Sequence, residues 1–261
     1  MDLLELPQRT LKKPRNHGIT SVHDVGYSIS ELRGLLTDYH AFIDIAKLGI
    51  GSAYITPRLE EKIALYKEFD VIVYFGGTLF EKFYHCSTIA NYTSYLKSLG
   101  ISWLEVSTGT LDIPLAKRVA IVQELSQDFV VLAEVGTKDT QPLMPPSQWI
   151  GEIETLLATG CRYVIAEGRS SGTAGIYQSN GNIRALLISE ILAAIDPNKI
   201  IFEAPHSKMQ MFFINLVGPN VNLGNISPHD LLLVETQRCG LRSETFFVKD
   251  PIKPKDENTS A

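Results

Sequence analysis

Short apolar segments alternate along the chain with longer amphipathic segments. The apolar segments suit buried strands, whereas the segments between them carry apolar residues at the spacing of a helix. Strands that alternate with helices indicate a parallel sheet, because each parallel crossover needs a connection as long as a helix. The eight predicted strands are residues 18–24, 42–48, 71–77, 102–107, 129–136, 162–168, 199–205 and 221–227.

The helical segments carry the usual start and stop signals. Ser147 and two prolines open a helix that ends at Gly160, and Ser227 with a proline opens one that ends at Gly240. Eight strand–helix units in 261 residues predict an α/β fold of a single domain, a (β/α)₈ TIM barrel. A doubly wound open sheet is the alternative, because periodicity does not show closure. No GxGxxG follows the first strand, which weakens the dinucleotide-binding version of that alternative.

Composition limits the partners of this domain. The chain is 44% hydrophobic and 20% charged, which fits one domain with a large core, and its net charge of -5 comes with no long basic stretch. We therefore expect no nucleic-acid partner. No apolar run reaches the roughly 20 residues of a membrane helix, and the N-terminus lacks the pattern of a signal peptide. We expect no membrane partner and predict an N-terminal arm (1–17), the barrel (18–247) and a polar tail (248–261).

The cysteines indicate neither a disulfide framework nor a zinc site. Cys86, Cys161 and Cys239 are odd in number, lie far apart and lack CxxC spacing. Ordinary thiols of this kind fit a reducing compartment. We therefore expect a cytoplasmic protein.

Four of the predicted strands end on a carboxylate, at Glu105, Glu134, Glu167 and Glu203. In a barrel, the C-terminal ends of the strands converge on the active site. Carboxylates placed so close together repel one another and need a positive partner. Because oxygen ligands occur here without a His/Cys cluster, the sequence predicts Mg²⁺. The alternative is that each acid pairs with a neighbouring lysine or arginine.

Other residues at the strand ends suit an anionic substrate. Backbone N–H groups of Gly76 and Gly77 could approach an oxyanion, and Asn225 lies in a loop of the usual barrel phosphate site. Each glycine alone also fits a simple turn. His206 follows the seventh strand and is a candidate substrate contact, whereas His23, inside the first strand, is predicted to be a core or lining residue.

Six motifs in order make a more specific pattern. They are YFGGTLFEK, STGTLDI, LAEVGTKD, IFEAP, GPNVNLGNI and VETQRCGLRSETF. Together they resemble the phosphosulfolactate synthase family, which includes methanogen enzymes of coenzyme M synthesis and bacterial relatives. The resemblance runs over residues 18–247. It implies a (β/α)₈ barrel that adds sulfite to phosphoenolpyruvate with Mg²⁺, giving (2R)-phospho-3-sulfolactate.

The resemblance also implies roles for single residues. Lys138 matches the lysine that protonates C2 of the substrate, and Lys47 matches a second site lysine. Mg²⁺ held by the strand-end carboxylates would stabilise the aci-carboxylate. Arg238 and Arg242 match family arginines, although they could instead brace the eighth strand. The predicted substrate-binding set is Asp24, Gly76, Gly77, Arg169, His206, Asn225, Arg238 and Arg242, with phosphoenolpyruvate and sulfite as partners and a homo-oligomer as the assembly.

Departures from the family pattern put the substrate in question. The family has Asp-Lys-Gly after the first strand, where this chain has Val25 as the middle residue, and Ser170 replaces an acid. Loss of a cation weakens the binding of a multiply charged anion. Two alternatives follow: a divergent lyase that adds another nucleophile or takes a less charged enol acceptor, and a non-catalytic relative like the plant members associated with heat-stress memory.

Overall fold

A computed structural model describes residues 3–136 and 143–249 of the chain. It contains all eight predicted strands, each parallel to its hydrogen-bonded neighbours. The strands are β1 (Thr20–Asp24), β2 (Ile45–Leu48), β3 (Ile72–Phe75), β4 (Trp103–Val106), β5 (Val130–Val135), β6 (Tyr163–Ala166), β7 (Ile200–Glu203) and β8 (Leu223–Ile226).

Helices connect the strands and pack around them. Two helices lie between β3 and β4, and the first begins at Gly77, which the sequence pattern assigns to the end of the third strand. The helices in the described residues are α1 (Ile29–Tyr39), α2 (Leu59–Glu68), α3 (Gly77–Cys86), α4 (Ile89–Ser98), α5 (Leu115–Leu125), α6 (Pro146–Ala158), α7 (Ala185–Ala194), α8 (Ser207–Val217) and α9 (Leu231–Arg238).

The sheet curls into a barrel. Its strand order is β3-β2-β1-β8-β7-β6-β5-β4, so the first and last strands of the chain pair in the middle of the order. β3 and β4 then face each other as neighbours, although no hydrogen-bonded ladder joins them in the described residues. The nearly closed (β/α)₈ barrel confirms the predicted fold and rules out the doubly wound sheet.

Strand alternation builds an apolar lumen that ends in a charged layer. The residues that fill the lumen form their own cluster, separate from the larger core beneath the helices: Ile19, Ile45, Tyr74, Leu132, Tyr163, Ile165 and Ile201, with Ile72 and Trp103 beside them. A residue two positions further along a strand points to the same side. Two positions beyond five of these lumen residues stand Lys47, Glu105, Glu134, Glu167 and Glu203. The barrel geometry therefore gathers one lysine and four glutamates at its C-terminal mouth.

The N-terminal arm packs against the opposite end of the barrel. Arg15 forms a buried ion pair of 2.7 Å with Asp44, next to β2, and Arg9 pairs at 3.0 Å with Glu235 on α9. In the described part of the chain, no helix combines the length and the apolar character needed to cross a membrane.

Candidate functional site

A cavity of about 210 Å³ opens at the C-terminal ends of the strands, and we call it the mouth cavity. It contains all four strand-end glutamates and five of the ten other predicted site residues. Its lining consists of His23, Lys47, Ile50, Gly76, Gly77, Thr78, Glu105, Thr110, Glu134, Glu167, Arg169, Ser170, Glu203 and Asn225. Asp24, His206, Arg238 and Arg242 lie outside this lining.

Lys47 is the central cation of the mouth cavity. Its Nζ lies 3.3 Å from Glu105 Oε2 and 3.0 Å from Glu203 Oε1, and the lysine is almost fully buried. Burial alone would lower the pKa of Lys47, but the carboxylates of Glu105 and Glu203 outweigh burial and raise this pKa well above its usual value. Burial would raise the pKa of Glu203, yet the nearby Lys47 ammonium holds it below its usual value. Lys47 and Glu203 are therefore both charged at neutral pH.

Backbone amides orient the same carboxylates. Gly77 N–H donates to Glu105 Oε1 at 2.8 Å, and Gly168 N–H donates to Glu203 Oε2 at 3.0 Å. A methyl group on Gly77 would collide with Ser107 and with the Glu105 carboxylate, so only glycine fits there. The Gly76 amide donates to the Leu48 carbonyl. Both glycines line the cavity, and their amides donate within the protein, so the oxyanion contact stays a prediction.

His23 brings a neutral imidazole to the mouth cavity. It packs directly against Gly49, where any side chain would collide with its ring. Burial, together with the neighbouring Lys47 ammonium, lowers the pKa of His23 to about 4, against the opposing influence of Glu203 and Asp24. The imidazole is therefore uncharged at neutral pH. The sequence placed His23 in the core or lining, and the structure confirms the lining.

Three residues of the lining have strained backbones. Ile50, Arg169 and Asn225 have φ angles of 48°, 60° and 55°, in the left-handed region that side chains other than glycine rarely adopt. Such strain clusters at functional sites, where the surrounding structure holds it in place. Asn225 also has a buried side-chain oxygen, for which the described residues provide no hydrogen-bond partner. Its amide is therefore available to a bound molecule.

Asp24 is a predicted substrate-binding residue, but it lies outside the lining of the mouth cavity. Its carboxylate turns away from the lumen, accepts two hydrogen bonds from Lys62 Nζ at 3.0 and 2.8 Å, and accepts another from Tyr66. It also caps the following loop through the amides of Gly26 and Tyr27. Because side chains alternate along a strand, the neighbour His23 takes the inward position that the prediction gave to Asp24.

Arg238 and Arg242, the predicted substrate-binding arginines after β8, also lie outside the mouth cavity. Arg238 is fully buried at the opposite end of the barrel, where it donates to the carbonyls of Pro219, Val221 and Ile19. This agrees with the alternative that it braces β8. Arg242 follows the end of α9 and pairs with Glu244 at 3.1 Å. Both residues are close to β8 in sequence, but the length of α9 separates them from the C-terminal end of β8.

His206 lies at the edge of the site and not in the cavity. It is exposed, and a ring nitrogen is 3.2 Å from the carbonyl oxygen of Ser171 in the loop after β6. The predicted substrate contact is therefore not made by this conformation. Lys138, the predicted proton donor, lies outside the described residues. The lining residues that the predicted site set omitted are His23, Ile50, Thr78, Thr110 and Ser170, and apart from His23 they carry no titratable group that would mark a site in the sequence.

The carboxylates of the mouth cavity are the ligands that the predicted Mg²⁺ would need. In residues 3–136 and 143–249, no three or more His, Cys, Asp or Glu side chains form a group that could hold a metal ion. Glu105 and Glu203 have Lys47 as their counter-ion. Enzymes often bind Mg²⁺ through only one or two carboxylates and complete its shell with water and substrate oxygens. All four strand-end glutamates stand in the cavity lining, so Mg²⁺ held by a subset of them stays a prediction.

Comparison with known families gives one match over most of the chain. Residues 8–244 match the model of a family described as (2R)-phospho-3-sulfolactate synthase. A phosphosulfolactate synthase from Bacillus subtilis is 40% identical over 248 residues, which cover 94% of this chain and 98% of that protein. A phosphosulfolactate synthase from Methanothermobacter thermautotrophicus is 36% identical over 240 residues, covering 90% of this chain and 93% of the relative.

Solved structures agree on the fold alone. A 3-hexulose-6-phosphate synthase from Salmonella typhimurium superposes with a TM-score of 0.53 over 84% of this chain and 98% of that chain. The two sequences are only 14% identical. The likeness therefore supports the barrel and carries no argument about substrates.

Proposed function

The chain belongs to the (2R)-phospho-3-sulfolactate synthase family, and from this premise we propose that it is a lyase that joins sulfite to phosphoenolpyruvate, giving (2R)-phospho-3-sulfolactate. The observation that carries the proposal is the mouth cavity. It brings Lys47, Arg169 and four glutamates together at the end of the barrel where such enzymes carry out their chemistry.

The bond changes proposed for this site balance as follows. The sulfur lone pair of sulfite attacks C3 of phosphoenolpyruvate and forms the carbon–sulfur bond. The electrons of the C2–C3 double bond move towards the substrate carboxylate, and a proton then adds to C2. Each turnover thus consumes one proton. The family resemblance implies that Lys138, which matches the family lysine in the motif EVGTKD, delivers this proton to C2.

Lys47 has a different role from Lys138, because the positive charge of Lys47 is fixed. The raised pKa of Lys47 means that its ammonium holds its protons at neutral pH, which makes it a poor proton donor. A fixed ammonium near the substrate carboxylate stabilises the negative charge that develops there during the addition. We therefore assign Lys47 to electrostatic stabilisation.

Charge balance supports a further cation. In the described lining, four carboxylates accompany only two cations, Lys47 and Arg169, so a multiply charged anion needs more positive charge. Mg²⁺ would supply it and would stabilise the aci-carboxylate. A subset of the four strand-end glutamates that includes Glu134 would hold the ion.

Calorimetry tests this assignment without an activity measurement. Titration of Mg²⁺ into the protein in the presence of phosphoenolpyruvate should show binding that Glu134→Gln weakens by at least about tenfold. The matched variant Glu61→Gln, in an exposed ion pair on α2, should bind like the wild type. Equal Mg²⁺ affinity of Glu134→Gln and the wild type would remove Glu134 from the site.

The reaction itself is tested by mass spectrometry. Purified protein incubated with phosphoenolpyruvate, sulfite and Mg²⁺ should give a product with the mass of the sulfite adduct, and omission of sulfite should abolish it. A folded protein that yields no adduct would refute the proposal.

A lyase acting on a less charged enol acid is the second candidate. It is favoured by the excess of carboxylates over cations in the described lining and by Val25, an exposed residue where the family has a lysine. 2-Methoxyacrylate keeps the enol carboxylate and lacks the phosphate. If sulfite adds to it faster than to phosphoenolpyruvate, this second candidate takes precedence.

A further inference from the structure

Glu81 is a buried carboxylate that the proposed chemistry does not use. It lies in α3, is 2% exposed and is absent from the lining of the mouth cavity. Its Oε1 accepts a hydrogen bond of 2.6 Å from Ser107 Oγ. Its Oε2 accepts from the backbone amides of Thr110 and Leu111, at 2.7 and 2.6 Å. Three short donated bonds compensate the burial of this carboxylate.

All three donors belong to the segment that follows β4, residues 107–111, which we call the wall segment. Its Thr110 lines the mouth cavity. Its Ser107 lies against Gly77, whose amide holds the Glu105 carboxylate. Glu81 thus connects α3 to one side of the site through the backbone of a neighbouring loop.

Packing alone does not fix the wall segment. Its Thr110 and Leu111 also border a second cavity of about 760 Å³, whose lining includes Tyr54, Leu79 and Phe83. Thr110 lines both cavities. A segment whose tip borders open space is held there by few packing contacts. The Glu81 carboxylate supplies such contacts from the helix side.

We propose that Glu81 is a positioning residue, which acts through the wall segment and holds Thr110 against the mouth cavity. The kinetic part of this inference rests on the proposed function, whereas the position of the wall segment does not. A residue of this kind affects the reaction without touching the substrate.

Two substitutions separate the hydrogen bonds of Glu81 from its charge. In Glu81→Gln, the amide oxygen can accept from Thr110 N–H and Leu111 N–H, while its NH₂ group donates to Ser107 Oγ, which then acts as acceptor. In Glu81→Ala, all three bonds are lost and both backbone amides lack their acceptor. The glutamine variant should therefore behave like the wild type, and the alanine variant should not.

Hydrogen exchange tests the positioning directly. The amides of Thr110 and Leu111 should exchange at least about tenfold faster in Glu81→Ala, and near the wild-type rate in Glu81→Gln. Glu235→Ala, which removes a buried carboxylate at the opposite end of the barrel, should leave these two amides unchanged. Unchanged exchange in Glu81→Ala would overturn the inference, even if the wild type proved inactive towards every enol acid.

A double-mutant cycle tests the route to the reaction. Glu81→Ala and Thr110→Ala should each lower kcat/KM for sulfite addition by roughly tenfold or more, and Glu81→Gln should restore it. If Glu81 acts through Thr110, the double variant should be little worse than either single variant. Independent, multiplicative losses would overturn the route through Thr110, whereas absence of wild-type turnover would refute the proposed function alone.

Discussion

Lys47 determines the charge balance of the mouth cavity more than any other described residue. A single ammonium lies within ion-pair distance of two buried carboxylates, Glu105 and Glu203. Removing one partner from a buried ion pair leaves uncompensated charge in a poorly solvated place. The same residue therefore contributes to stability and, in our proposal, to catalysis.

Lys47→Met should abolish sulfite addition and reduce the free energy of unfolding by about 3–5 kcal/mol at neutral pH. As the pH falls, the abandoned carboxylates take up protons, and the destabilisation should shrink. Lys97→Met is a matched control, because Lys97 pairs with Asp128 on the surface, where both side chains are more than half exposed. Lys97→Met should reduce the free energy of unfolding by less than about 1 kcal/mol. Urea unfolding at pH 7 and pH 5 measures both, and equal losses for the two variants would contradict this view of Lys47.

His23 makes stability depend on pH. Its pKa is about 4 in the folded protein, against a usual value of 6.5, so the unfolded chain binds more protons between these two values. The stability that the neutral imidazole contributes is therefore complete above pH 6.5 and is lost as the pH falls through 4. The free energy of unfolding should fall by roughly 3 kcal/mol over this pH range.

His23→Gln should remove this part of the pH dependence. The difference in unfolding free energy between wild type and variant should change by about that amount from pH 7 to pH 4. His85→Gln alters an exposed imidazole on α3 and should show no such difference. A parallel pH dependence for wild type and His23→Gln would mean that His23 titrates normally.

The individual elements explain which parts of the site could be predicted. The glutamates that end β4, β5, β6 and β7 were found because an acid that closes an apolar strand is visible in the sequence. The choice between His23 and Asp24 required knowledge of which face of β1 points inward. Arg238 was misplaced because a match in a motif does not show which end of α9 a side chain occupies. Thr110 enters the site through a loop, whose path no periodicity predicts.

The start of α3 shows how an element controls the site. Gly77 is the first residue of the helix, and its amide holds Glu105. Gly77→Ala should reduce kcat/KM by roughly 100-fold or more, because the added methyl group displaces Ser107 or the carboxylate. Gly151→Ala adds the same methyl group inside α6 with open space around it, and should leave turnover unchanged and stabilise the protein by about 0.5–1 kcal/mol. Full activity of Gly77→Ala would show that this contact does not matter for the reaction.

At the scale of the whole molecule, the barrel separates stability from chemistry. Its N-terminal end is held by buried ion pairs of the arm and by Arg238, which binds backbone carbonyls near β1 and β8. At its C-terminal end, charged residues line a cavity in which two carboxylates share one ammonium. Some of the lining residues there have strained backbones. The first arrangement favours a rigid fold, and the second favours the binding of small charged molecules.

In the proposed reaction, sulfite adds to C3 of phosphoenolpyruvate in the mouth cavity. Carbon NMR of phosphoenolpyruvate labelled with ¹³C at C3 follows that atom directly. With wild-type protein, Mg²⁺ and sulfite, the olefinic C3 signal should disappear and a signal for a saturated CH₂ group bonded to sulfur should replace it, whereas Lys47→Met should leave the olefinic signal intact. An olefinic signal that persists with folded wild-type protein, or one that changes equally without sulfite, would contradict the account.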